Sequence, residues 1–133
     1  MIDIENEVMT LVYDAVHPTY ESANFESGLN LSPSKFPCVC VEEVNNTTRR
    51  STIDSSGREK YANIAYEINV FTNNVSGKKA AAKAIMQLID EAFTRKGFER
   101  VTKQPYSLDN GTKYRLLARY QATVAEDYTI YGR

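Results

Sequence analysis

The sequence predicts a single α+β domain over residues 1–133. Its sheet should be four-stranded and mostly antiparallel, with two helices packed on one face and the element order α-β-β-α-β-β. Three observations lead there. Two runs alternate apolar and polar side chains with period two, over residues 62–71 and 114–124. Apolar residues recur at helical spacing near the N-terminus and again over residues 81–93. Runs of strands joined by short turns, rather than strict strand–helix alternation, favour an antiparallel sheet with helices segregated to one side.

The first helix starts after Asp3, a plausible N-cap, with Glu5 and Glu7 suited to the positive end of the helix dipole. Ile4, Val8, Leu11, Val12 and Ala15 form its apolar stripe, and His17-Pro18 ends it, because the residue before proline avoids α geometry. Residues 18–36 show no clear period and contain Gly28 and Pro33, so they read as an irregular crossing segment. Pro37 through Val44 is a short strand. Residues 45–60 are polar except Ile53, with turn signals at Asn45-Asn46 and Ser56-Gly57, and read as a long loop between the first two strands.

In the second strand Ala62, Ile64, Tyr66, Ile68 and Val70 alternate with a more polar set. Ser76 is the expected cap of the second helix and Gly97 its left-handed terminator. Ala81, Ala84, Ile85, Leu88, Ile89, Ala92 and Phe93 form the apolar half, with Lys83, Gln87, Asp90 and Thr94 opposite. A short third strand covers residues 98–102. A turn region over residues 104–112 follows, carrying Pro105 and Asp109-Asn110-Gly111. The fourth strand alternates Tyr114, Leu116, Ala118, Tyr120, Ala122 and Val124 with polar neighbours, and an extended C-terminal tail closes the chain.

Composition bounds the function classes. A chain of 133 residues buries about two-thirds of its unfolded surface and needs no disulfide or metal to fold. With a net charge of −1, no global field draws it to nucleic acid or anionic lipid. No apolar run reaches the roughly 20 residues of a membrane span, and the acidic start Met1-Ile2-Asp3-Ile4-Glu5 lacks the features of a signal peptide, so the expected location is the cytoplasm.

The inventory for catalysis is thin. His17 is the only histidine, and its place before Pro18 reads as a helix end rather than a general base. Cys38 and Cys40 should leave the same face of a strand as two small buried thiols. One histidine and a close cysteine pair build no zinc site without distant carboxylates. Ser76-Gly77-Lys78-Lys79 before a helix lacks the upstream glycine and the trailing Ser/Thr of a phosphate loop. The expectation is a non-enzyme that binds no cofactor and no metal.

Two features exceed what a monomer needs. Arg49, Arg50 and Arg58, with Lys60, make the long loop locally basic, and loops of about 15 residues are uncommon in compact domains unless they have a use. In the tail, Tyr128, Ile130 and Tyr131 resume an apolar pattern after Ala125-Glu126-Asp127. The tail has two open destinations, a groove of its own subunit or a neighbouring copy. The neighbour is favoured because the second helix and the sheet already supply a core. On that view truncation after Asp127 leaves subunit stability nearly unchanged.

Over about residues 35–131 the chain resembles phage tail terminator (tail completion, head–tail joining) proteins. The likeness lies in pattern and order. Pro37-Cys-Val-Cys-Val-Glu-Glu43 leads through a polar excursion to Tyr66-Glu-Ile-Asn-Val-Phe-Thr-Asn73. An alanine-rich helix ends at Gly97-Phe98, and Lys113-Tyr-Arg-Leu-Leu-Ala-Arg-Tyr-Gln-Ala-Thr-Val124 precedes the closing Tyr128-Thr-Ile-Tyr131. The resemblance implies a homo-oligomeric ring, typically of six subunits, which caps the tail tube, ends its growth and docks to the head connector or neck. Its partners would be further copies of itself, the tail tube protein and the connector, with DNA only as passing cargo and no membrane. It would assemble in the host cytoplasm and end at the neck-proximal end of the virion tail. Arg49, Arg50, Arg58, Tyr128, Ile130 and Tyr131 are the expected interface residues. Two alternatives stand beside it: another connector or tail protein of the same particle, and a small enzyme.

Overall fold

The computed structural model describes residues 1–48, 61–74, 76–107 and 113–131. Its elements run α1 (Glu5–Val16), β1 (Asn24–Ser27), β2 (Cys38–Thr48), β3 (Tyr61–Thr72), α2 (Lys78–Lys96), β4 (Glu99–Ser107), β5 (Tyr114–Ala125) and β6 (Ile130–Tyr131). The fold is α+β, but the sheet has six strands and is mixed, in the order β1-β2-β3-β5-β4 with β6 also on β5. The expectation is four strands, mostly antiparallel. The two additions are short, β1 with four residues and β6 with two, and β1 supplies the one parallel pairing among the described residues.

The alternating runs form the sheet's centre. β3 and β5 pair antiparallel along their whole length, from Tyr61 opposite Ala125 to Thr72 opposite Tyr114. One face of this pair carries Ile64, Tyr66, Ile68, Val70, Leu116, Ala118, Tyr120 and Val124. These join Val8 and Val12 of α1 and Ile85, Ile89 and Phe93 of α2 in one apolar cluster. Both helices therefore cover the same face, as expected. Phe93 stacks on Tyr120 with ring centroids 4.4 Å apart and meets Phe98 edge-on at 5.0 Å. Such aromatic pairs add about 0.5–1.5 kcal/mol each beyond the area they bury.

Several boundaries and caps differ from expectation. The irregular segment over residues 18–36 contains β1, whose Asn24–Ser27 lies parallel to Cys38–Val41 of β2. Residues 45–48 are strand rather than loop: past a bulge between Glu43 and Asn45, β2 continues against Ala62–Ala65 of β3. Asn45 and Thr47 are exposed, and their polar side chains suit this solvated end of the sheet. Asn46 donates to the Ile2 carbonyl at 2.8 Å, and Thr47 donates to Asn45 at 2.8 Å. β4 likewise runs on through Pro105 to Ser107, which an edge strand tolerates because its outer side needs no ladder donor.

At the helix ends, Asp3 does not occupy the N-cap position, which is Ile4, although its Oδ1 accepts from the Glu5 N–H at 3.0 Å. Gly77, with φ 79°, takes the cap position expected of Ser76. Gly97 terminates α2 in the left-handed conformation, φ 99°, as expected. On α2, Ala84 is exposed while Ala82 and Met86 are buried, and Asp90, expected to be solvated, is drawn inward by Tyr120. The apolar stripe is thus rotated slightly from the one read off the sequence.

The tail folds back on its own subunit. Ile130 and Tyr131 pair antiparallel with Val124 and Thr123 of β5. Since β3 occupies the other side of β5, β6 extends the edge that β4 begins. Ile130, expected to dock on a neighbour, packs against the main core of its own subunit. The signal that misled was length: two residues are too few to be read as a strand, yet they need only continue an edge already formed.

Candidate functional site

Two places concentrate chemistry or exposed apolar surface. The first is the face of the sheet that the helices leave uncovered, at its β1–β2 end. Parallel pairing sets Asn24 opposite Cys38 and Glu26 opposite Cys40, so these four side chains leave one face as a two-by-two block. Both thiols are free and fully buried. The Cys38 thiol donates to Glu26 Oε2 at 3.2 Å, and the two sulfurs are 4.0 Å apart. Glu26 also accepts from the Asn24 amide at 3.3 Å and from the Asn30 amide at 3.2 Å.

The segment between β1 and β2 folds over this block. Gly28, with φ 113°, donates its N–H to the Val41 carbonyl at 2.7 Å and turns the chain across β2. The Leu29 N–H reaches Glu42 Oε2 at 3.2 Å, Pro33 is buried, and Phe36 packs against Cys38, Cys40 and Phe71. The environment splits the two thiols. A second sulfur, burial and the Glu26 carboxylate push Cys38 well above the ordinary thiol value. The hydrogen bond from Cys38 draws Cys40 down to about 7 against the effect of burial, helped by the backbone of Asn30 and the charge of Arg115. Next to the block, buried Asn69 accepts from Arg115 Nε at 2.7 Å, and the guanidinium lies 5.7 Å from the Phe71 ring centroid.

The second place is the hairpin that carries β6 and the groove beneath it. The Tyr128 N–H donates to the Ala125 carbonyl at 2.8 Å, and the Ala125 N–H donates to the Thr129 carbonyl at 2.9 Å. Asp127 Oδ1 accepts from the Thr129 N–H at 3.0 Å, and that bond holds its carboxyl below the usual range. Tyr128 sits at φ 68°, the one non-glycine residue among those described with positive φ, and its side chain is 46% exposed. Below it a groove of about 430 Å³, lined by Val8, Leu11, Phe98, Tyr128 and Ile130 among others, runs between α1 and the tail. Glu7, Asp14 and Lys96 also border this groove.

Of the expected interface residues, the structure brings three together on this hairpin, but not in one role. Ile130 points inward. Tyr128 and Tyr131 remain about half exposed, and Tyr131 meets Tyr61 edge-on at 6.3 Å. Arg49, Arg50 and Arg58 lie outside the described residues, as do most of the expected long loop and the Asp109-Asn110-Gly111 turn. His17 caps α1 and stacks on Tyr13 with centroids 4.6 Å apart, the arrangement of a helix-end residue.

No protein-family model and no curated protein matches this chain. Sequence reading missed Glu26, because a carboxylate in an aperiodic segment carries no signal until β1 is known to pair with β2. In the sequence the cysteines read as two small buried thiols, with no metal expected there. Among the described residues, no helix is long and apolar enough to cross a membrane.

Proposed function

We propose that this protein is a tail terminator of a phage or phage-like particle. Copies of the chain join head-to-tail into a ring, six being the typical number in the family it resembles. The ring caps the tail tube, ends its growth and meets the head connector or neck. This reading assigns the chain no catalysis and a final place at the neck-proximal end of the tail, after assembly in the host cytoplasm.

The observation that carries it is Tyr128. A left-handed backbone costs a non-glycine residue about 1–2 kcal/mol, and glycine or asparagine would serve the turn better. A tyrosine kept there with its ring half exposed, beside half-exposed Tyr131, is a choice that local stability does not favour. Tyrosine anchors are common where one protein surface meets another. A closed ring also needs two different patches on each subunit. The hairpin tip supplies one candidate, and the exposed apolar residues Leu29 and Leu31 before β2 supply another, at the opposite side of the sheet order. The order of elements on which the family resemblance rests adds further support.

The test is direct. Purified protein mixed with tail tubes and imaged by electron microscopy should give rings at one tube end, and native mass spectrometry should count several copies per end. A single copy per tube end overturns the ring. Association with the head-side connector but never with tubes assigns the chain to the connector instead.

A further inference from the structure

We propose that Asn24, Glu26, Cys38 and Cys40 form a binding site for one thiophilic divalent cation, Zn²⁺ in the cell. The inference is independent of the assembly reading, since it rests on the β1–β2 pair alone.

Register is the first argument. In a parallel pair, side chains of opposed residues share a face, and alternate residues return to it. Asn24 opposite Cys38 and Glu26 opposite Cys40 thus deliver two sulfurs, a carboxylate and an amide to one side of two adjacent strands. Strand residues hold such a set more tightly than a loop does, because the backbone ladder fixes every Cα.

Distance is the second. Tetrahedral zinc, with bonds of about 2.3 Å to sulfur and 2.0–2.2 Å to oxygen, places neighbouring ligand atoms roughly 3.3–3.8 Å apart. Here the sulfurs are 4.0 Å apart, Cys38 Sγ lies 3.2 Å from Glu26 Oε2, and the ligand atoms of Glu26, Cys38 and Cys40 all fall within 4.8 Å of one another. Closing on an ion asks the pairs, none farther apart than 4.8 Å, to draw in by up to about 1.5 Å, within reach of side-chain rotation. The Asn24 amide nitrogen lies 3.3 Å from Glu26 Oε2 and 3.8 Å from Cys38 Sγ. A half-turn of that amide presents its oxygen at the same point as a fourth ligand.

Chemistry is the third. Two thiolates select zinc over calcium or magnesium, and a carboxylate with an amide oxygen completes a set that zinc accepts. With the ion bound, the ligand set carries one net negative charge, and the cationic Arg115 stands close enough to act on Cys40. Asn30, whose amide already donates to both Glu26 oxygens at 3.2 and 3.3 Å, orients the carboxylate from outside the ligand set. Beneath the covering segment with Pro33 and Phe36 both sulfurs are fully buried.

The experiment uses the full chain, purified under reducing conditions, stripped with a chelator and returned to metal-free buffer. Co²⁺ is the probe. One equivalent should produce thiolate-to-cobalt charge-transfer absorption in the near ultraviolet, and Zn²⁺ should displace it and raise the melting temperature. Cys40→Ser, which leaves one thiolate, should cut the band by about half or more, and Glu26→Gln should weaken Zn²⁺ binding at least about 10-fold, each with an unchanged far-ultraviolet circular dichroism spectrum. Absence of the band in the wild-type protein overturns the proposal, and that titration decides even where a variant fails to fold. Zn²⁺ affinity unaltered in both Glu26→Gln and Cys38→Ser also overturns it, by placing the ion elsewhere.

Discussion

Tyr120 is fully buried, and its hydroxyl still reaches Asp90 Oδ1 at 2.8 Å, where Arg100 also donates at 3.2 Å. Tyr66, equally buried, directs its hydroxyl to Glu43 at 3.4 Å. Burial first, and the neighbouring carboxylates after it, push both phenols above their ordinary value of 10.0. A group whose folded value is raised contributes stability that is complete below its unfolded value and is lost as pH rises. The protein should therefore be insensitive to these groups below about pH 10 and unfold progressively above it. Urea midpoints measured across that range check this, and Tyr120→Phe should flatten the alkaline loss while costing about 1 kcal/mol at neutral pH. An alkaline loss unchanged in the Tyr66→Phe, Tyr120→Phe double variant assigns it to other groups. His17 belongs to the same scale with the opposite expectation. Stacked on Tyr13 at the end of α1, it should tolerate His17→Ala with less than about 1 kcal/mol lost and assembly intact. A folded His17→Ala protein that no longer functions would point to chemistry at that residue.

At the scale of elements, the end of α2 and the tail depend on each other through Gly97. Its φ of 99° favours glycine, and a Cβ there would stand 3.3 Å from the Ile130 carbonyl oxygen. Gly97→Ala should cost about 1–2 kcal/mol from the backbone alone and loosen β6 as well, visible as faster amide exchange at Ile130. Exchange there that stays as slow as in the wild type would uncouple the two. Removal of the chain after Asp127 should lower the subunit's melting temperature by roughly 5 °C, since half-buried Ile130 contributes about 1–2 kcal/mol. An unchanged melting temperature would return the tail to a neighbour. These two elements mark the limit of what sequence shows. β3, β5 and α2 were legible because each is long enough for its period to repeat several times against a one-sided core. β1 has four residues, three of them half-buried, and no period can be read in so few. Polar residues 45–48 and Pro105 argued against strand by composition, and both belong to strand ends or edges where solvent meets the ladder. The thiols of Cys38 and Cys40 were correctly expected on one face, but their partner Glu26 depends on a pairing that no local pattern encodes.

For the whole molecule, the arrangement separates a closed interior from a small set of exposed apolar side chains. The two helices and one sheet face enclose the main apolar cluster. Met1, Tyr13, Leu29, Leu31, Val101, Tyr128 and Tyr131 remain exposed among the large apolar residues described. Most are scattered, and isolated exposed residues of this kind are ordinary. Tyr128 and Tyr131 differ because they lie on one short hairpin, and because Tyr128 is held at a backbone angle that disfavours it. That strain makes a discriminating experiment possible. Tyr128→Gly relieves the left-handed penalty and removes only a half-exposed ring, so the subunit should keep or slightly raise its melting temperature. If the ring of Tyr128 anchors the next subunit, the same change should cost about 2 kcal/mol or more at every interface. A closed ring repeats the loss at each of its contacts, so rings on tail-tube ends should disappear at concentrations where the wild type forms them. Truncation cannot separate these effects, because it destabilises the subunit too. A Tyr128→Gly protein that is as stable as the wild type and caps tubes equally well removes the hairpin from the interface and leaves the strain without a functional explanation.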